Sequence, residues 1–190
     1  PVRLLAEADG RFVGRVPLSG VRPGFHDVRL AANGSDTAFW RVPFALSAPY
    51  YVLVTADWDY PDPGQPSLEY QARLHAAHGS LRITHFVGPY TFTDGQVSVA
   101  RRSAISRWLQ LQRDMFGDEI SLHIHPYCSF VESAGLRCIT DRSTMAPTDI
   151  TGYSINIGAY GRRDFGRLLQ QASALFEQHG LGRPTTFRAG

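Results

Sequence analysis

Four side chains in this sequence are spaced for chemistry. Asp57 and Asp59 close the apolar run YYVLVTADWD, and His123 and His125 close a second run, EISLHIHPY. Residues i and i+2 of a strand project to one face, so each pair converges if its run is a strand. Where two such strands lie parallel in an α/β sheet, their carboxyl ends share the rim on which ligands bind. Two imidazoles and a carboxylate on one rim suit zinc or another divalent first-row metal, with a position left for water. The second carboxylate then has a task as general base. An aspartate of pKa about 3.9 cannot deprotonate free water of pKa about 15.7. Metal binding brings that water to about 7, which removes roughly 12 kcal/mol of the mismatch. The implied chemistry is metal-assisted hydrolysis. Neither pair carries this alone, because Asp-x-Asp ahead of Pro61, Asp62, Pro63 and Gly64 reads as a turn and a lone His-x-His reads as surface or core.

The elements that must position these residues follow from pattern. From Tyr50 the chain alternates strand and helix at α/β spacing. YYVLVTA, LRITHFVG, EISLHIH and TTFRA are the expected strands. A first helix is expected from about Ser67, between Pro66 and Gly79. A second covers Val97 to Phe116, with Ile105, Trp108, Leu109, Gln112, Met115 and Phe116 along one side. A third runs from Asp164 to His179, with Leu168, Ala172 and Leu175 inward and Gly180 as its stop. Residues 126 to 162 form a long connection, in which GYSINIGAYG has the alternation of a short strand.

Residues 1–47 read differently. The dipeptides Asp9-Gly10 and Asn33-Gly34 mark hairpins, and Phe39, Arg41 and Pro43 alternate with Trp40, Val42 and Phe44 as one buried face would require. This segment is expected to be a small β-rich appendage, an immunoglobulin-like remnant or a module leaning on its neighbour. LSAPY is the joint to a second domain over 48–190.

Composition narrows the function class. All 19 basic residues are arginine and they are scattered, so a net charge of +2 offers no nucleic-acid face. No apolar run reaches the length of a membrane span. Cys128 and Cys138 lie close together, which reads as a local disulfide of an exported protein, extracytoplasmic or in the cell envelope; two free thiols of a cytosolic protein is the alternative. His85, beside Phe86 in mid-strand, reads as core. Cys128 as a thiolate ligand beside the histidines is a weaker reading, and Tyr127, Tyr153 and Tyr160 are candidate stacking platforms for a sugar.

VTADWD, RITHFVG, DEISLHIHP and the terminal TTFRAG, in this order, resemble the polysaccharide deacetylases of the NodB-homology group, carbohydrate esterase family 4. The resemblance covers residues 50 to 190. It implies an α/β fold, part of a distorted (β/α) barrel of NodB-homology type, acting with a divalent metal, zinc above others, on an N-acetylated polysaccharide. By that resemblance Asp57 is the base, Asp59 a metal ligand and His123 the first histidine ligand. Trp58 separates acids that are adjacent in the family, which leaves the division of the two roles open. Tyr127 stands where the family's second histidine is expected, so strand geometry nominates His125 instead. Arg188-Ala189-Gly190 resembles the family's Arg-x-Pro, with glycine for proline, and implies that Arg188 braces the base carboxylate. The same resemblance places a general-acid histidine beyond Gly190, so that residues 1–190 alone are expected to be inactive. The altered acids and histidine spacing also motivate an alternative, a catalytically inactive deacetylase-like protein that binds carbohydrate or serves assembly.

Overall fold

A computed structural model describes residues 4–31, 38–48, 51–141 and 149–190. The chain divides into two compact units, Pro1–Val52 and Leu53–Gly190.

In the first unit β1 (Leu5–Ala6) pairs antiparallel with β2 (Phe12–Val13). Gly10 takes the left-handed φ of +84° that this turn demands, and Asp9 Oδ1 accepts the Arg11 N–H at 3.1 Å. A second antiparallel pair joins β3 (Gly24–Ala31) to β4 (Ala38–Leu46), with His26 opposite Phe44 and Val28 opposite Val42. Asn33-Gly34 lies outside the described residues. Among the described residues the unit holds two separate two-stranded sheets. The expected buried face is only half covered: Phe44 and Leu46 are partly buried, but Trp40 is 63% and Val42 43% exposed. A two-stranded sheet offers no second layer to cover such a face.

The second unit is mixed α/β. Its four strands, β5 (Val54–Asp57), β6 (Ile83–Val87), β7 (Glu119–Ile124) and β8 (Phe187–Ala189), are all parallel and lie side by side in chain order. Each new strand adds on the same side, with no reversal of direction, and the sheet curls into a half-barrel. Ile83, His85 and Val87 of β6 and Ile120, Leu122 and Ile124 of β7 are buried, most of them in one cluster with Leu68, Ile105, Leu109 and Leu168 of the helices. The alternate positions carry the polar groups. Thr55 aligns with Thr84 and Glu119, Asp57 with Phe86 and Ser121, and His123 with Arg188.

The helices are α1 (Gln65–Ala77), α2 (Val99–Phe116), α3 (Cys128–Ser133) and α4 (Arg162–Gln178). None is long and apolar enough to cross a membrane, among the described residues. α1 starts two residues before the expected Ser67, because Pro66 fits the first turn, where its missing N–H costs nothing. On α2, Ser98 accepts the Arg101 N–H at 3.2 Å as the cap, and Gly117 ends the helix at φ +73°. Met115 departs from expectation: it is 68% exposed, since ten residues of 100° carry it about 80° round from Ile105. α4 buries Leu168, Ala172, Leu175 and Phe176, as its periodicity requires.

Two features differ from the sequence reading of the strands. YYVLVTA is strand only from Val54; Tyr51, Val52 and Leu53 are exposed and Tyr50 lies outside the described residues. GYSINIGAYG is not a strand. Asn156 Oδ1 accepts the Gly158 N–H at 2.8 Å and starts a short 3-10 turn over Ile157–Ala159, a local bond that outcompetes pairing when no strand lies alongside. Cys128 and Cys138 are joined in a disulfide across the same connection.

His85 is core, as read. Its Nε2–H and that of His75 both donate to Asp118 Oδ2, at 2.8 and 2.9 Å, while Asp118 Oδ1 accepts the Ile83 N–H at 2.9 Å. Burial alone would raise the Asp118 carboxyl, but three donors outweigh it and hold the group below its ordinary value. This knot ties α1 to the amino ends of β6 and β7.

Candidate metal centre

Trp58 explains how the first acid pair is arranged. It is 2% exposed, its ring is 6.2 Å from that of Trp108, and its backbone N–H donates to Phe86 O at 3.0 Å, so the residue continues the β5 pairing and turns its indole into the core. Asp57 and Asp59 are thereby turned the other way, but each finds its own partner. The backbone that carries them is held by two tyrosines: Tyr90 donates its hydroxyl to Trp58 O, and Tyr127 donates to Asp59 O at 3.2 Å. Gly88 makes the first contact possible, because a Cβ there would overlap the Tyr90 ring.

Asp59 Oδ1 lies 3.1 Å from His123 Nε2 and 3.4 Å from His125 Nε2. The three ligand atoms all fall within 4.8 Å of one another. Backbone carbonyls orient the far nitrogens. His123 Nδ1 faces Arg188 O at 3.2 Å and His125 Nδ1 faces Tyr153 O at 3.1 Å. A carbonyl only accepts, so each ring carries a proton on Nδ1, and with a cation bound the Nε2 lone pairs would be free to ligate it. Burial holds His125 below the ordinary imidazole value, which favours the neutral ring.

A carboxylate facing two imidazole nitrogens needs either a proton on Nε2 or a cation among the three atoms. Ligand atoms about 2.0–2.1 Å from a tetrahedral ion stand about 3.3 Å apart, and the two histidine–carboxylate separations are close to that edge. Asp59, His123 and His125 thus form a group that could hold a metal ion, and its donors fit a divalent first-row ion. Asp59 is 46% exposed at its side chain, so the centre opens to solvent on the carboxylate side.

Asp57 stands outside this triad. Arg188 places Nη1 2.8 Å from each Asp57 oxygen and 3.3 Å from Thr55 Oγ1, with its guanidinium carbon 5.2 Å above the Phe86 ring. The sheet must curl for β8 to reach β5 in this way, since two strands separate them in the order. The same turn seats Gly190, whose N–H donates to Ile124 O at 2.9 Å. A Cβ at 190 would stand 2.5 Å from Cδ2 and Nε2 of His125, so only glycine fits there.

All five residues nominated from sequence thus gather in two adjoining sets, Asp59 with His123 and His125, and Asp57 with Arg188. The nominated tyrosines fare unevenly. Tyr160 is 6% exposed and accepts the Ile139 N–H at 3.0 Å, so it packs rather than presents a face. Tyr127 is 8% exposed and braces Asp59 instead. Tyr153 stacks on His125, centroids 4.4 Å apart. Cys128 is bonded to Cys138 and is not a ligand. Tyr60 and Tyr90 escaped the sequence reading, although Tyr60 directly follows Asp59 and Gly88-Pro89-Tyr90 marks a tight turn at a strand end.

Comparison of the chain with protein-family models, with characterised proteins and with solved structures gives no match.

Proposed function

We propose that this protein is a metal-dependent hydrolase that removes N-acetyl groups from a polysaccharide, a carbohydrate deacetylase of the NodB-homology type, with zinc as its ion. The observation that carries this reading is the convergence of Asp59, His123 and His125 beside an arginine-braced carboxylate. A divalent ion held by those three would supply Lewis acidity at an acyl carbonyl and water acidic enough for a carboxylate to deprotonate, and Asp57 is placed as that base. Arg188 holds both Asp57 oxygens and so orients the base. Tyr153 O and Arg188 O fix the imidazoles with Nε2 toward the ion. The disulfide supports an oxidising, extracytoplasmic setting such as the cell envelope.

The test is acetate release from N-acetylated oligosaccharides by the zinc-loaded full-length protein, with Asp59→Ala and His123→Ala alongside. The expected result is turnover in the parent and loss of both zinc stoichiometry and turnover in the variants. Stoichiometric zinc without acetate from any such substrate would sink the hydrolase and leave the second reading, a deacetylase-like carbohydrate-binding or assembly protein. That reading draws on Trp58, which gives the two acids separate partners.

A further inference from the structure

An exposed tyrosine ring beside the triad has no part in holding the ion. Tyr60 is 63% exposed, yet its ring lies nearly parallel to that of Tyr153, at 18° and 5.8 Å between centroids. Tyr153 in turn stacks on the ligand His125 at 4.4 Å and 28°. The three rings form a column that starts at a metal ligand and ends in an uncovered aromatic face.

The loop that carries Tyr60 is stiff. Pro61 and Pro63 restrict the backbone on its carboxyl side. Between them Asp62 accepts two bonds from Arg101 of α2, at 2.9 and 2.8 Å, and a third from the Gly64 N–H at 2.8 Å. An aromatic face already held in place loses little freedom when a ligand settles on it.

We propose that Tyr60, backed by Tyr153, is a binding platform for a pyranose ring next to the one being deacylated. A pyranose has a flat C–H face that packs on an aromatic ring and a hydroxyl rim that stays in water, which is what a half-exposed tyrosine at the mouth of a polar site can take. Tyr60 follows the ligand Asp59 directly and stands one ring beyond Tyr153 from His125, so its sugar is a neighbour of the reacting unit. The substrate is then an oligomer or polymer of sugars, and a single N-acetyl sugar or small amide leaves the platform empty. This inference rests on the proposed hydrolase reading for the reacting unit, but the platform needs no catalysis.

Binding of the β-1,4-linked N-acetylglucosamine trimer and of the monosaccharide, measured by calorimetry on chelator-treated protein, separates the two ideas. Parent protein is expected to bind the trimer well above the monosaccharide. Tyr60→Ala should weaken the trimer roughly tenfold and leave the monosaccharide unchanged, while Tyr60→Trp retains the trimer. Zinc stoichiometry and melting temperature should be the same in all three proteins. Trimer binding that depends on Tyr60 without acetate release by the zinc-loaded full-length protein upholds the platform and sinks the hydrolase. Acetate release from the trimer with kcat/KM equal in parent and Tyr60→Ala sinks the platform and upholds the hydrolase. Equal affinity of parent and Tyr60→Ala for the trimer, or no trimer binding by the parent, also overturns the platform.

Discussion

Arg188 and Asp57 meet across the hollow of the curled sheet, one guanidinium nitrogen standing 2.8 Å from each carboxylate oxygen. The same residue serves the metal triad through a different atom, because its carbonyl accepts the His123 Nδ1–H. Side-chain and backbone roles can therefore be separated by mutation. Arg188→Ala keeps the carbonyl and should leave zinc stoichiometry intact while lowering kcat about 10- to 100-fold. Asp57→Asn should lower kcat about 100- to 10,000-fold, again with zinc retained. Loss of zinc in either variant would contradict the division of labour between the two acids.

Tyr153 O is held close to His125 by a segment that the disulfide anchors. Cys128 N–H donates to Thr151 O at 2.7 Å, and Gly152 lies against Cys138 Sγ. Opening the bridge in a Cys128→Ser, Cys138→Ser variant frees a loop of ten-residue separation and should cost about 3 kcal/mol. The carbonyl that orients His125 loosens with it, so zinc affinity should fall about tenfold or more. Competition with a chelating dye reads the affinity, and denaturant unfolding reads the stability.

Acid should unfold this protein through two adjacent carboxylates at the amino end of β7, Asp118 just before the strand and Glu119 its first residue. Burial tends to raise Asp118 and Glu119, but both are held below their ordinary values, Asp118 by His85, Ile83 N–H and His75, and Glu119 by Thr186, Ser121, Thr84 and Thr185. A carboxylate with a lower pKa folded than unfolded stabilises above its unfolded pKa, and that contribution is lost as pH falls through the folded one. Melting temperature should thus hold steady at neutral pH and drop steeply once pH passes below about 4. Asp118→Asn should cost about 3 kcal/mol or more at pH 7 and make the acid limb shallower. An unchanged limb would remove Asp118 from the account.

Gly190 tests the packing against His125. Gly190→Ala should push the ring off its position and weaken zinc binding about tenfold. Gly79→Ala, where a Cβ meets nothing within 4 Å, is the matched control and should bind zinc as the parent does. Equal affinity in both variants would show that the ring has room to move.

The sequence by itself determined the order of β5 to β8 with α1, α2 and α4, and the four residues at the carboxyl ends of the β5 and β7 runs, but neither α3 nor the turn at Ile157. Period-2 and period-3.6 patterns are local, and apolar runs that end in Asp57-Trp58-Asp59 and His123-Ile124-His125 are read without knowing what lies opposite. It also placed the bond between Cys128 and Cys138, since close spacing makes loop closure easy. What only the tertiary structure decided is who faces whom. Trp58, drawn into the core by Trp108 and the Phe86 backbone, turns both acids the other way, and Asp59 rather than Asp57 meets the imidazoles because Arg188 of β8 holds Asp57. The 3-10 turn at Ile157, the bracing of Asp59 by Tyr127 and the stack of Tyr60 on Tyr153 depend likewise on partners that no local pattern encodes. Alternation tells a side chain which face to take; only the closed fold supplies what waits on that face.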